Sequence, residues 1–186
     1  MRKISQLVLL LLLIFTTGCL TYERVSVKIV FDNPGKALPG KIYISFIGIA
    51  STEDSLEKRR SDFDDVVDFL ENDDFLLDAM KDGIYVKHRK LLNENNKLVF
   101  IYDGIFDKLV FDRDLELKYV DNEIVAFLNE EEKIENTNGK IFKDSTHTFI
   151  KWPRDTKEIY WDQIMVQKEK IYSLLPFFEK WKNDKK

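Results

Sequence analysis

Lys41-Ile42-Tyr43-Ile44-Ser45-Phe46-Ile47-Gly48-Ile49 leads, through Ala50, into Ser51-Thr52-Glu53-Asp54. Beyond these come Leu56, Phe63, Val66, Val67 and Leu70, set among Lys58, Arg59, Asp62, Asp64 and Asp65. In the first run Ile42, Ile44 and Phe46 fall on one face and Tyr43 and Ile47 on the other, the period-two spacing of a deeply buried strand. In the second the apolar residues recur every three or four positions, which is helical spacing. Ser51 with Asp54 three residues on resembles a capping arrangement, and acids crowd the first turn where the helix dipole favours them. The spacing predicts an amphipathic helix over about 52–70, inserted after the second strand.

Upstream, Val25, Val27, Ile29 and Phe31 alternate with Arg24, Ser26 and Lys28, a strand with one buried face. Asp32-Asn33-Pro34-Gly35 and Leu38-Pro39-Gly40 break the chain between the two strands. Downstream, Phe75, Leu76, Ala79 and Met80 predict a short helix over 74–81, stopped by Gly83. The period then returns to two. Four hairpins are expected: 84–92 with 97–106 around Asn93-Glu94-Asn95-Asn96, 115–120 with 123–128 around Asp121-Asn122, 133–136 with 140–142 around Thr137-Asn138-Gly139, and 146–152 with 158–164 around Pro153-Arg154-Asp155. Ile171, Leu174, Leu175, Phe178 and Trp181 suit a closing helix over 168–182, with a kink or restart at Pro176. The fold class is α+β: an antiparallel sheet of hairpins, a helical insertion after the second strand and a C-terminal helix. No internal repeat or linker divides residues 19–186, so they read as one domain.

Composition narrows the function classes. At 186 residues, 44% hydrophobic and 33% charged, the chain is globular. Its net charge of -4 argues against a partner made of nucleic-acid phosphates. One cysteine allows neither an internal disulfide nor a thiolate zinc cluster.

That cysteine closes the least domain-like segment. Arg2 and Lys3 precede the unbroken apolar run Leu7–Phe15, and Thr16-Thr17-Gly18 follows. A basic start, an apolar middle too short for a transmembrane helix and a small-residue end make residues 1–18 a secretory signal peptide. The segment Phe15-Thr16-Thr17-Gly18-Cys19 resembles the lipobox of bacterial lipoproteins. Gly18 and Thr17 match that pattern; Thr16 departs from it, standing where an aliphatic residue is usual. The resemblance implies diacylglyceryl transfer to the Cys19 thiol, cleavage before Cys19 and N-acylation (palmitate being such a lipid), so that Cys19 is the lipidation site. It covers this leader alone. Leu20 rather than Asp follows Cys19, which resembles the outer-membrane class if the host is diderm. Cleavage after Gly18 by the ordinary signal peptidase is the alternative, and would leave a lone thiol in an oxidising compartment. Loss of 1–18 removes two of the 29 basic residues and none of the 33 acids, moving the formal charge from -4 to -6. Only Leu20-Thr21 separate Cys19 from the first strand pattern, so the domain should sit close against the membrane.

Candidates for chemistry are few. The two histidines are His88, in Val86-Lys87-His88-Arg89-Lys90 on a cationic strand face, and His147, at the start of a strand. Each reads as an ordinary strand residue; as a general base either would need a nucleophile within reach. No nucleophile elbow, phosphate loop, dinucleotide fingerprint or zinc-helix motif is present, so no cofactor or metal is expected. Asp62, Asp64, Asp65 and Asp68 read as a solvated helix face, and Asp112-Arg113-Asp114-Leu115-Glu116 lacks the glycine of a calcium loop. Gly83, Gly104 and Gly139 stand singly at apparent turns, where positive φ explains them. The aromatics of the C-terminal third belong mostly to a core, although Trp152 and Trp161 flank a turn that could expose one of them.

The sequence therefore predicts an exported lipoprotein held to a bacterial membrane through lipid on Cys19. It is expected to be a non-enzymatic envelope binding or assembly module with an envelope protein or glycan partner. The rivals are a lipid-anchored envelope hydrolase using His88 or His147 and a carrier of a small apolar ligand. A flat exposed aromatic patch would favour the module, converging side chains in a cleft the hydrolase, and a large empty apolar cavity the carrier.

Overall fold

The computed structural model describes residues 19–35, 39–81, 83–107, 115–128, 132–144, 148–166 and 169–185. His147 and Asp112-Arg113-Asp114 lie outside them. In chain order the elements are β1 Leu20–Thr21, β2 Arg24–Phe31, β3 Gly40–Ile47, β4 Ala50–Ser51, α1 Leu56–Glu71, α2 Asp74–Lys81, β5 Ile84–Glu94 and β6 Lys97–Phe106. There follow β7 Leu115–Val120, β8 Glu123–Leu128, β9 Glu132–Thr137, β10 Lys140–Lys143, β11 Thr148–Pro153, β12 Glu158–Met165, β13 Tyr172–Ser173 and α3 Leu175–Asp184. The class is α+β, as the change of period predicts. The helical insertion follows β4 because two short strands, β1 and β4, add to the two long ones.

The strands form three antiparallel sheets rather than one. A six-stranded sheet has the order β5-β6-β3-β2-β12-β9, a four-stranded sheet β10-β11-β8-β7, and a small sheet β1-β4-β13. Register places Val27, Ile44, Tyr102 and Trp161 on the same face of the large sheet, with Ile29, Ile42 and Ile159 in the adjacent row. All of these are buried. The helices cover that face toward β5 and β6: Phe75 of α2 meets Phe100 and Tyr102 at ring-centroid distances of 6.3 and 5.6 Å. Phe63 of α1 stacks on Phe177 of α3. Toward β12 the four-stranded sheet supplies the cover. Trp152 of β11 and Trp161 of β12 lie 5.9 Å apart across the junction, and both are buried, at 2% and 0% exposure. Neither tryptophan is the exposed residue that their turn position allowed.

Two of the four expected hairpins form. Asn95 and Asn96 close β5–β6 with φ of 51° and 62°, and Asp121 opens the β7–β8 turn with φ 52°. Two-residue turns demand positive φ, and short polar residues tolerate it. The other two turns join different sheets. β9 pairs with β12 while β10 pairs with β11, and β11 pairs with β8 while β12 pairs with β2. Asn138 serves as the joint. Its side-chain oxygen accepts from Trp152 Nε1 at 2.7 Å and from the Tyr160 backbone N–H at 3.0 Å, one donor from each sheet.

Four local expectations need correction. The α1 cap is Ser55, whose hydroxyl accepts from Lys58 N–H; Ser51 lies in β4 and is fully buried. Leu56, expected on the buried stripe, begins the helix and is 66% exposed. The C-terminal helix starts at Leu175 with Pro176 in its first turn, where the missing N–H is harmless, so there is no kink. Among the three glycines only Gly83 has positive φ, at 78°. Gly104 is mid-strand, with the Tyr85 carbonyl in the space a Cβ would fill, and Gly139 lies against the Trp152 indole.

Candidate functional site: the Cys19 seat and the open sheet faces

Cys19 stands at the mouth of the fold with no tether. Leu20 pairs with Ser51 and Thr21 with Ala50. Leu20 and Tyr22 are each only 2% exposed, because both are drawn into the core. The Thr52 N–H donates to the Cys19 carbonyl at 2.6 Å. The Cys19 thiol donates to Glu53 Oε1 at 2.5 Å, and Lys58 Nζ pairs with Glu53 Oε2 at 3.0 Å. The hydrogen bond to Glu53 raises the thiol pKa, with desolvation and the Glu53 charge acting the same way. The Cys19 and Lys58 partners lower that of Glu53. A thiol so held is protonated and weakly nucleophilic, the opposite of a catalytic cysteine.

Asp62 departs from the solvated face expected for the α1 acids. It is 8% exposed and accepts from the buried Ser51 hydroxyl at 2.5 Å. Ser51 in turn accepts from Glu53 N–H at 3.0 Å. This chain ties β4, the loop before α1 and α1 itself together behind Cys19. Asp64, Asp65 and Asp68 are exposed. Sequence reasoning missed the seat because its partners are brought together by β1–β4 pairing.

His88 is exposed on the open face of the large sheet, its Nδ1 3.0 Å from Asp103 Oδ2. The register continues the row through Tyr43, Lys28 and Tyr160. The neighbour of the imidazole in that row is Asp103, with Tyr43 next across. The cationic strand face expected around His88 is divided by a bulge between Val86 and His88. Arg89 turns inward and donates from Nη1 to Phe69 O at 2.8 Å and Asn72 O at 2.7 Å.

Two further surfaces are candidates for a partner. On the outer face of the four-stranded sheet Phe142 and Phe149 stack at 5.6 Å, with Phe127 6.0 Å beyond. Lys151 Nζ lies 5.1 Å from the Phe142 ring, which is 40% exposed. A groove of about 380 Å³ opens between β4, β13 and the β5–β6 turn, lined by Glu23, Asn95, Asn96 and Lys97 among others. Its lining is mixed, with Ile49, Ala50, Leu98 and Ile171 beside those polar residues. Among the described residues no three His, Cys, Asp or Glu side chains are placed to hold a metal ion. No helix among them is long and apolar enough to cross a membrane. No family model, curated protein or solved structure matches the chain.

Proposed function

We propose that the chain is a bacterial lipoprotein, exported and anchored through lipid on Cys19, whose domain serves as a non-enzymatic envelope binding or assembly module. The observation that carries the anchoring is the position of Cys19. It closes a lipobox-like leader and directly precedes β1, whose Leu20 is a core residue as is Tyr22 just after it. The exposed Phe142, stacked on the half-buried Phe149 and beside Lys151, supports a binding role for a protein or glycan. The hydrolase alternative rests on His88, which pairs with Asp103, or on His147, which lies outside the described residues. His88 is exposed, its side chain 66% accessible.

Metabolic labelling with a fatty-acid analogue tests the anchor. Label should appear on the wild type and vanish in Cys19→Ala, leaving a soluble or uncleaved export product. Equal label in both would refute it. Complementation of a deletion strain with His88→Ala and with His147→Ala, each at matched expression, separates module from hydrolase. Loss of a general base typically costs about 10²–10⁴-fold in rate, so loss of function in a stably folded variant would favour the hydrolase.

A further inference from the structure

A flexible tether of n residues lets an anchored domain roam roughly 5–6 Å × √n from its lipid. Here n is nearly zero. The Thr52 N–H holds the Cys19 carbonyl, a bond that lipidation of the sulfur leaves intact, and Leu20 is already a paired and buried strand residue. Whatever is attached at Cys19 is therefore attached to the rigid domain. We infer that the domain is held in one orientation, with the first turn of α1 and Tyr172 of β13 lying against phospholipid headgroups; this rests on the lipidation proposed above.

The surface beside Cys19 fits that occupant. The headgroup layer is roughly 5–7 Å thick on each side of the hydrocarbon, so side chains one or two contacts from the acylated sulfur must meet it. Those are Glu53 and Lys58; Leu56 begins the same first turn of α1, and Tyr172 bonds Asp54, the neighbour of Glu53. Leu56 is 66% exposed, an aliphatic side chain left in solvent within one turn of the Glu53–Lys58 pair. Tyr172 donates its hydroxyl to Asp54 at 2.6 Å. Its ring is covered by Arg59 at 4.4 Å and Lys170 at 4.7 Å. Amphipathic side chains with apolar bodies and polar tips are the kind that settle at a membrane interface. Glu53 and Asp54 offset Lys58 and Arg59, so the contact depends on the anchor's geometry and needs no anionic lipid.

Because lipidation blocks the chain's only cysteine, an introduced cysteine is a unique labelling site. The lipidated full chain carrying Leu56→Cys, Asn33→Cys or Asn122→Cys, each with a nitroxide, is reconstituted into phosphatidylethanolamine–phosphatidylglycerol vesicles. Collision with a water-soluble nickel chelate is then measured. The Leu56 label should be several-fold less accessible than the labels at Asn33 and Asn122. Inserting eight Gly/Ser residues between Cys19 and Leu20 should abolish the difference. Equal accessibility at all three sites without the insertion overturns the fixed orientation while leaving lipidation standing, and so does protection of Leu56 that survives the insertion. Uptake of the thiol label by the unsubstituted chain shows Cys19 free and overturns both.

Discussion

Glu53 accepts from the Cys19 thiol, and its titration reports on the state of Cys19. Its pKa lies below the ordinary 4.5 because the Cys19 thiol and then Lys58 hydrogen-bond to its carboxylate. A lowered folded-state pKa means that the stabilisation is present above the ordinary value and is lost as pH falls through the folded one. Cys19→Ala, or conversion of the thiol to a thioether, removes the donor. Glu53 should then titrate closer to 4.5, as carboxyl-resolved NMR of the leaderless chain would show. Ser51 and Asp62 form a second residue-scale device. Ser51→Ala would leave the Asp62 carboxylate, only 8% exposed, without its hydroxyl donor. We expect a loss of about 1–3 kcal/mol in urea denaturation. An unchanged midpoint would mean that water replaces the hydroxyl. These contacts were not legible in the sequence: Ser51 and Asp54 had the spacing of a cap, and only the β4 pairing of Ser51 directs its hydroxyl to Asp62 instead.

Among the elements, α1 shows how a helix end can be completed from elsewhere. It has no basic residue in its last turn, and Arg89 of β5 reaches across to donate to Phe69 O and Asn72 O. Its side chain is only 13% exposed, so the pairing is shielded from water. Arg89→Ala should cost about 1–3 kcal/mol by leaving carbonyls unsatisfied. It should also raise amide exchange in the last turn of α1 more than in the first. Uniform exchange along α1 would show that the guanidinium does not cap it. The same helix packs through Phe63, 2% exposed against Phe177 and Trp181. Phe63→Ala should therefore cost about 3–5 kcal/mol. The helix was predicted from its apolar spacing. Its capping arginine was not, because a bulge in β5 decides which face Arg89 takes.

At the scale of the molecule, the two large sheets share one core. Trp152 and Trp161 meet between them and Asn138 binds both. Trp161→Ala should lower stability by about 3–5 kcal/mol and do so for both sheets together. Tryptophan fluorescence and far-UV circular dichroism should then give coincident unfolding curves, as a cooperative unit requires. Separate midpoints would mean that the four-stranded sheet unfolds on its own.

Periodicity alone determined the α+β class, the α2 boundaries, both helix-covered strands and the β5–β6 and β7–β8 turns, because each depends on neighbours within a few residues. The apolar run Leu7–Phe15 and the cysteine after it are local facts of the same kind, and the anchor proposed above is argued from them. Partner choice was not. Thr137-Asn138-Gly139 and Pro153-Arg154-Asp155 carry the turn chemistry of hairpins, yet each passes the chain from one sheet to the other. A turn residue sets φ and ψ but not which strand the next segment meets. That was decided by burial of Trp152 and Trp161 against each other, an interaction between strands that only tertiary packing brings face to face.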